Sequence, residues 1–552
     1  MTGADVVYRG TPGAAGVAVG RLHLLAPESP GNGVLAAAGP ERLRTAFDAV
    51  AAGLRARAAA IRAAVAEQAA ADRGGLVPPG AQVDQAAEIL EATALIADDP
   101  DLRAAAMAEC AAGERADRAV IEAAARYAEL LAGLDDPTLA ARAADVRLVG
   151  QRVVQQLRGG VRPVADGPVL LAAAELGADD LLNPEATVLG GVSARGGPNA
   201  HVAIVARALG VPLVFGIDLP SAEDGAEAVL DGAAGVLTVR PGAAARAAAD
   251  NAVATARQRR QWLAEHRDLP AVTADGQPVT LLVNVSAAAD VEAGLAAGAA
   301  GAGLIRTELP FLQAARWPTR AEHVAALRPV LTALAGRTAT VRVLDFAPDK
   351  LPPFLAAEAT VHRGLQLLLA HPDAFADQLA AILDTGADTR LRIMVPMVAS
   401  AADLYRCREL LHEVSHEHGT GVPPLGAMIE LPEAVAEVDA IAAASDFLSI
   451  GSNDLTAALL GLDRRDPALT PARAADPPVL AAIARVAAAG VRAGRDVSVC
   501  GDAAGDPAVV PALLAAGCRI LSVAPTSLDE VRAVVRGTTL VRDTTLGPSD
   551  HG

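Results

Sequence analysis

Aromatic residues are nearly missing from this 552-residue chain, at 2% of its composition, and acidic residues outnumber basic ones enough to leave a formal net charge of −18. The shortage of aromatics means that the cores must be built from aliphatic side chains, and the wealth of alanine points to a largely helical chain. The acidic balance excludes non-specific binding to nucleic acid and to anionic lipid, whose phosphates would repel it; a basic protein partner suits it better. Long hydrophobic runs are absent too, since no stretch reaches about 18 uninterrupted apolar residues. The opening "MTGADVVYRGTPGAAGVAVG" has no basic region leading into an apolar core, so the expectation is a cytoplasmic protein with no membrane contact. Cysteine is scarce: Cys110, Cys407, Cys500 and Cys518 are too few and too scattered for a disulfide framework or a zinc knuckle.

What is present divides by pattern. Residues 5–24 read as short strands around the turn Gly10-Thr11-Pro12-Gly13. Between Pro40 and Arg158 come alanine-rich segments of helical period, such as "ERLRTAFDAVAAGLRARAAAIRAAV". Strand-like runs return in "PVLLAAA", "ATVLGGV", "VPLVFGI" and "AGVLTV", so the N-terminal strands are predicted to pair with the 165–240 segment across a helical insert. The polar stretch "GAAARAAADNAVATARQRRQWLAEHRD" reads as a semi-rigid connector. The expected division is a β/α domain at 1–24 and 159–240, a helical insert at 25–158, a helical linker at 241–270, a third domain at 271–540 and a tail at 541–552.

After Pro270 the pattern is strand then helix, repeated. The runs "VTLLVNV", "AGLIR", "ATVRVL", "LRIMVPM", "LGAMIE", "DFLSIG", "DVSVCG" and "CRILSV" make eight βα units, which predict a closed (β/α)8 TIM barrel; an open doubly wound sheet is the alternative. In a barrel the chemistry sits at the C-terminal ends of the strands. The polar residues that fall there are Arg306, Arg342, Glu430, Asn453, Asp454 and Cys500. Arginine forks bind phosphate and carboxylate, Glu430 and Asp454 are hard oxygen ligands that suit Mg²⁺, and a thiol can deliver a proton to carbon. Each also has a plainer reading. Strand-end arginines bridge loops, Ser452, Asn453 and Asp454 could cap the helix that follows, and Cys500 could be a small buried hydrophobe.

One further residue stands out. In "GGPNAHVAIVARALGVPLVFG" a glycine-rich turn leads into a helix whose first turn holds His201 and whose end is marked by Gly210. The free amides and positive dipole end of such a helix favour a neutral imidazole and can hold a phosphoryl group, and a neutral imidazole nitrogen is a nucleophile toward phosphorus. A histidine that merely caps or packs is the alternative.

With these residues in view, the chain resembles the Enzyme I family of the bacterial phosphotransferase system, the phosphoenolpyruvate–protein phosphotransferases. The resemblance covers nearly the whole chain and rests on the His201 segment together with "GLIRTELPFL", "VRVLDFAPDK", "MVPMV", "GAMIELPEA", "SIGSNDLTAALLGLDR" and "VCGDAAGDP" in that order. It implies a swivelling phosphohistidine domain with an inserted helical domain that docks the small carrier HPr, followed by a phosphoenolpyruvate-binding barrel that pairs into a homodimer. His201 would take the phosphoryl group and pass it to a histidine of HPr. Arg306, Arg342, Arg363 and Arg464 would clamp the substrate with Asn453, Glu430 and Asp454 would hold Mg²⁺, and Cys500 would protonate the enolate. The acidic run Asp84, Glu88, Glu91, Asp98, Asp99 and Asp101 is compatible with a basic partner and equally with a solvated helix face.

The chain departs from the family pattern at three places. Asn199-Ala200 stand where Thr-Ser is common, Ala347-Pro348 where Gly-Gly precedes Asp-Lys, which puts Lys350 in question, and Gln366 where an arginine is expected. Two other functions stay open at this point: a related dikinase or synthase that uses phosphoenolpyruvate, for which no nucleotide-binding motif is found, and a degraded paralogue that senses phosphoenolpyruvate or HPr without turnover.

Overall fold

The computed structural model describes residues 5–25, 39–70, 90–132, 137–158, 167–181, 187–197, 200–220, 223–312, 314–346, 351–355, 364–463, 466 and 468–540. They fall into two compact units, with the chain passing from the first to the second at residues 260–261.

The first unit is built on an eight-stranded sheet. Its strands are β1 (Val6–Arg9), β2 (Thr11–Ala14), β3 (Val17–Leu25), β4 (Val169–Ala173), β5 (Val188–Ser193), β6 (Leu213–Phe215), β7 (Glu227–Asp231) and β8 (Val236–Val239), in the order β1-β8-β7-β3-β4-β5-β6-β2. The centre, β3 to β6, is parallel, and antiparallel pairs close both flanks. The N-terminal strands therefore pair with strands some 200 residues later in the chain, as Val6 does with Val239, and helices occupy the interval. Those helices, chiefly Pro40–Ala70, Pro100–Ala111, Ala116–Ala132 and Pro137–Leu157, bury a stripe that includes Leu43, Phe47, Leu102, Val120, Val149 and Val153, as their helical spacing requires.

Two of the acidic residues expected to face a partner are occupied inside this bundle. Asp99 caps the helix Pro100–Ala111 by accepting from the amides of Asp101 and Leu102, and Asp98 is ion-paired with Arg55 and Arg103. Asp84 and Glu88 lie outside the described residues. Asp98 and Asp99 thus have roles within the bundle itself. Ion pairs from Arg152 to Asp180 and from Arg147 to Glu175 tie the bundle to the loop and short helix, Ala178–Leu181, after β4.

The second unit is a closed barrel of eight parallel strands: β9 (Thr280–Val285), β10 (Gly301–Ile305), β11 (Thr338–Arg342), β12 (Arg390–Val395), β13 (Leu425–Ile429), β14 (Phe447–Gly451), β15 (Asp496–Cys500) and β16 (Ile520–Val523). Pairing of β16 with β9, from Ile520 with Thr280 to Val523 with Val283, closes the ring and rules out the open sheet. Strands covered on both faces read as near-continuous apolar runs, which is why all eight were visible as such. No helix among the described residues is long and apolar enough to cross a membrane.

One of the few aromatics fills the barrel interior. The Phe447 ring lies under the Arg392 guanidinium, 3.7 Å from carbon to centroid, and next to Gly426, where an added Cβ would stand 2.5 Å from the ring. Gly426 is thus the space the ring needs. Gly426→Ala should destabilise the barrel by about 1–3 kcal/mol, whereas Gly421→Ala, which meets nothing within 4 Å, should leave it unchanged; urea unfolding of the two variants checks this.

Candidate active site

The C-terminal mouth of the barrel gathers charge around one buried guanidinium. Arg342 ends β11 and is 9% exposed. Its Nη2 donates to Glu308 Oε1 at 2.8 Å and its Nη1 lies 2.8 Å from Asp345 Oδ2, while Nε is buried with no hydrogen-bond partner among the described residues. Burial works against the charged form of Arg342, but Glu308 and Asp345, and then Glu430, outweigh it and hold its pKa above the usual arginine value. An arginine fixed by two carboxylates and still holding an unused donor is preorganised for an anion.

Glu430 follows β13 and is 1% exposed. Burial, then the charges of Asp345 and Asp454, push its carboxyl up to about 8, against Arg342 and a hydrogen bond from the Met397 amide. That amide donates to Oε1 at 2.7 Å, and Met397 reaches it from a left-handed backbone, φ +52°, a conformation that costs a non-glycine residue on the order of 1 kcal/mol or more. Close approaches hold the carboxylate from two sides. A Cβ on Gly364 would come within 2.6 Å of the Met397 side chain, and one on Gly451 within 2.8 Å of Glu430 Oε2.

The strands after Glu430 supply the rest. Asn453 and Asp454 lie in the first turn of the helix Ser452–Leu460, whose N-cap is Gly451 with no side-chain cap, so the capping role is not the one they take. Ser452 Oγ instead donates to the Cys500 carbonyl at 2.8 Å. Asn453 Nδ2 donates to Asp502 Oδ2 at 3.1 Å, and Asn453 Oδ1 accepts from the Asp502 amide at 3.0 Å. These bonds stitch the helix to the loop after β15, where Gly501 has φ +93°. Cys500 is buried, with Leu304, Met394, Met428 and Phe447 about it. Its Sγ accepts from Ser449 Oγ at 3.6 Å and donates to the Ile450 carbonyl at 3.4 Å. Burial raises the thiol pKa, the Ser449 hydrogen bond and the charges of Arg342 and Arg306 oppose the rise, and Glu430 adds to it. The thiol therefore stays protonated at neutral pH. The buried-hydrophobe reading of Cys500 is right about its surroundings but omits these polar contacts.

Arg306 follows β10, its amide bonded to the Val285 carbonyl at 2.9 Å, and its charge reaches Cys500. Among the described residues, Arg306, Arg342, Glu430, Asp454 and Cys500 thus form one electrostatic neighbourhood. Arg363, Arg464 and Lys350, with Ala347 and Pro348, lie outside the described residues. In the first unit, His201 is the first residue of the helix His201–Leu209, which follows the extended Ala200 and ends at Gly210 in the left-handed conformation, φ 65°. Asn199 lies outside the described residues.

Residues 260–540 match the family described as PEP-utilising enzyme, PEP-binding domain, residues 165–247 its mobile domain and residues 9–142 its N-terminal domain, PEP being phosphoenolpyruvate. The chain belongs to the PEP-utilising enzymes. It is 36% identical over 563 residues to the phosphoenolpyruvate-protein phosphotransferase of Streptomyces coelicolor, an alignment covering 98% of this chain and 95% of that one. Multiphosphoryl transfer proteins of Xanthomonas campestris and Rhodobacter capsulatus are 38% and 37% identical over 76% and 79% of this chain. This PEP-utilising enzyme spans about half the length of those two relatives, 52% and 54%.

Motif reading of this PEP-utilising enzyme missed the groups that hold the expected ones. Glu308 and Asp345 sit two and three residues beyond the arginines they flank, and that adjacency was the available signal. Met397 lies in "MVPMV" and Ser449 opens "SIGSNDLTAALLGLDR", but neither motif showed that the Met397 amide or the Ser449 hydroxyl takes part. Gln366, standing where an arginine was expected, is exposed and donates from Nε2 to Asp403 Oδ1 at 3.0 Å, so its side chain braces the start of the helix Ala401–Glu417.

Glu430 carries a pH signature. Its pKa is raised on folding, so the folded state binds the proton more tightly, and the stabilisation is full below about 4.5 and lost as pH rises through about 8. In chelator, Glu430→Gln should remove that decline in barrel stability between pH 4.5 and 8, as thermal melts across the range would reveal.

Proposed function

We propose that this PEP-utilising enzyme transfers the phosphoryl group of phosphoenolpyruvate to His201 and then to a histidine of an HPr-type carrier protein, releasing pyruvate. The observation that carries the reading is the convergence at one barrel mouth of a two-carboxylate-held arginine, a second arginine, a carboxylate pair and a protonated thiol. The full-length similarity to a phosphoenolpyruvate-protein phosphotransferase supports it.

The donor set fits Mg²⁺. Glu430 and Asp454 are hard oxygens; burial, and then the charges of Asp345 and Asp454, push Glu430 toward its neutral form, and a dication would oppose that push. No cluster of three or more ligating side chains occurs among the described residues, in keeping with an ion that uses one or two carboxylates and fills its shell with water and substrate oxygens. When bound, the ion supplies neutralisation of phosphate charge beside the two carboxylates. Arg342, fixed by Glu308 and Asp345, and Arg306 orient the substrate's anionic groups, which is most of what phosphoryl transfer asks of a protein. As the bond from the enol oxygen to phosphorus breaks and a bond to the His201 imidazole forms, the enolate becomes the ketone of pyruvate by taking a proton at its terminal carbon. Cys500 Sγ–H is the donor we assign. Arg363 and Arg464 complete the clamp in this proposal, and Asn453, oriented by Asp502, borders the phosphate.

On this reading residues 25–158 form the carrier-docking insert, 1–24 with 159–240 the phosphohistidine domain and 271–540 the PEP domain, linked by 241–270. The same imidazole has to serve two partners, so the linker allows the histidine domain to move between them. A cytoplasmic setting and a barrel-mediated homodimer belong to the same proposal.

The test is labelling. Purified protein with ³²P-phosphoenolpyruvate and Mg²⁺ should gain acid-labile label, and His201→Ala should gain none; label on both would remove His201 from its role, and label on neither would favour a sensor without turnover. Cys500→Ala should slow labelling by roughly 100-fold or more, the usual worth of a positioned general acid, and chelator should stop it.

A further inference from the structure

The loops that carry the two described arginines are joined by a residue that belongs to neither. Gln378 lies in the helix Pro372–Gly386 and is wholly buried, on a face it shares with Phe375, Leu379 and Ile382. A buried amide in such company is costly unless every polar atom is satisfied. Its Oε1 accepts from the Leu344 amide at 3.0 Å. Because a backbone N–H can only donate, that bond sets the orientation of the amide, and Nε2 is left to donate to Thr307 Oγ1 at 3.1 Å. The Thr307 hydroxyl, now an acceptor from Gln378, donates its own proton to the Arg342 carbonyl at 2.9 Å. Every donor and acceptor in the chain from Leu344 through Gln378 and Thr307 to Arg342 points one way.

The consequence is geometric. Thr307 sits between Arg306 and Glu308 on the loop after β10, and Leu344 precedes Asp345 on the loop after β11. One side chain thus bolts together two strand ends, each with one arginine and one carboxylate at or just beyond it, from outside the barrel wall. We infer that Gln378, acting through Thr307, is the positioning residue that sets the spacing of Arg306 and Arg342, and so the affinity of the site for a small dianionic or trianionic substrate. This rests on the phosphoenolpyruvate reading given above.

Calorimetric titration of phosphoenolpyruvate into the full chain with Mg²⁺ tests it, in the His201→Ala background so that no transfer consumes the ligand. Gln378→Met and Thr307→Val should each weaken binding by roughly tenfold, since fixed forks bind only when aligned. Thr307→Ser, which keeps the hydroxyl, should bind as the parent does, and the double variant Gln378→Met with Thr307→Val should be no weaker than either alone. A residue that only supports the fold would lower the fraction of binding-competent protein and leave the dissociation constant alone. Unchanged affinity in folded Thr307→Val or Gln378→Met, at reduced or full stoichiometry, overturns the inference and leaves the proposed function standing. Failure of the parent to bind phosphoenolpyruvate would overturn both.

Discussion

A guanidinium taken out of water needs partners, and the burial of Arg342 dictates the electrostatics of the whole barrel mouth. Removing such a charge from solvent costs several kcal/mol unless opposite charge and hydrogen bonds replace the water. Glu308 and Asp345 do so from two directions. Their presence leaves the site acidic, because Glu430 and Asp454 add to them and, of the described residues, Arg306 and Arg342 are the cations whose charge reaches Cys500 or Glu430. Burial first, and then the charges of Asp345 and Asp454, push Glu430 up. On the proposed function, a cation arriving with the substrate would offset the carboxylates that hold the arginine.

The same crowding accounts for the glycines and for the strain. Gly451 and Gly364 lie where a Cβ would strike Glu430 and Met397, and Met397 takes a backbone conformation that is normally left to glycine. The gain is an amide aimed at a carboxylate whose charged form its burial disfavours. Strain held by packing on both sides is typical of sites that need a fixed geometry. Here the packing partner is Gly364, so the start of the helix Leu365–Ala370 and the loop after β12 share one close contact.

Much of this was legible in sequence, for identifiable reasons. All eight barrel strands showed because parallel strands buried on both faces become apolar runs, and Arg306, Arg342, Glu430, Asp454 and Cys500 stood out because each follows or ends such a run. The helix from His201 to Gly210 was bounded by a glycine turn and a left-handed cap, both local signals. Interactions between elements left no such trace. Gln378 is spaced like a core residue of its helix, and nothing along the chain says that its amide meets Thr307 seventy-one positions away. Ser452 and Asn453 looked like capping residues, but their side chains turn to Cys500 and Asp502 across the barrel rim. Asp98 and Asp99 looked like exposed charge because their partners, Arg55, Arg103 and the helix amides, are set by the bundle.

On the proposed function, a thiol suits the role of acid in this setting. A carboxylic acid among so many carboxylates would have its titration coupled to theirs, and its protonation would change whenever a cation entered or left. A thiol starts from a higher pKa, and burial raises that of Cys500 further, so it holds its proton at neutral pH. The difficulty moves to the step after transfer, when a thiolate must exist beside Glu430. Ser449 and the two arginines oppose the rise in its pKa, and on the proposed mechanism the arginines are relieved of phosphate at that moment. The same two arginines would then stabilise the conjugate base left behind, so on the proposed mechanism one pair of positive charges would serve both halves of the reaction.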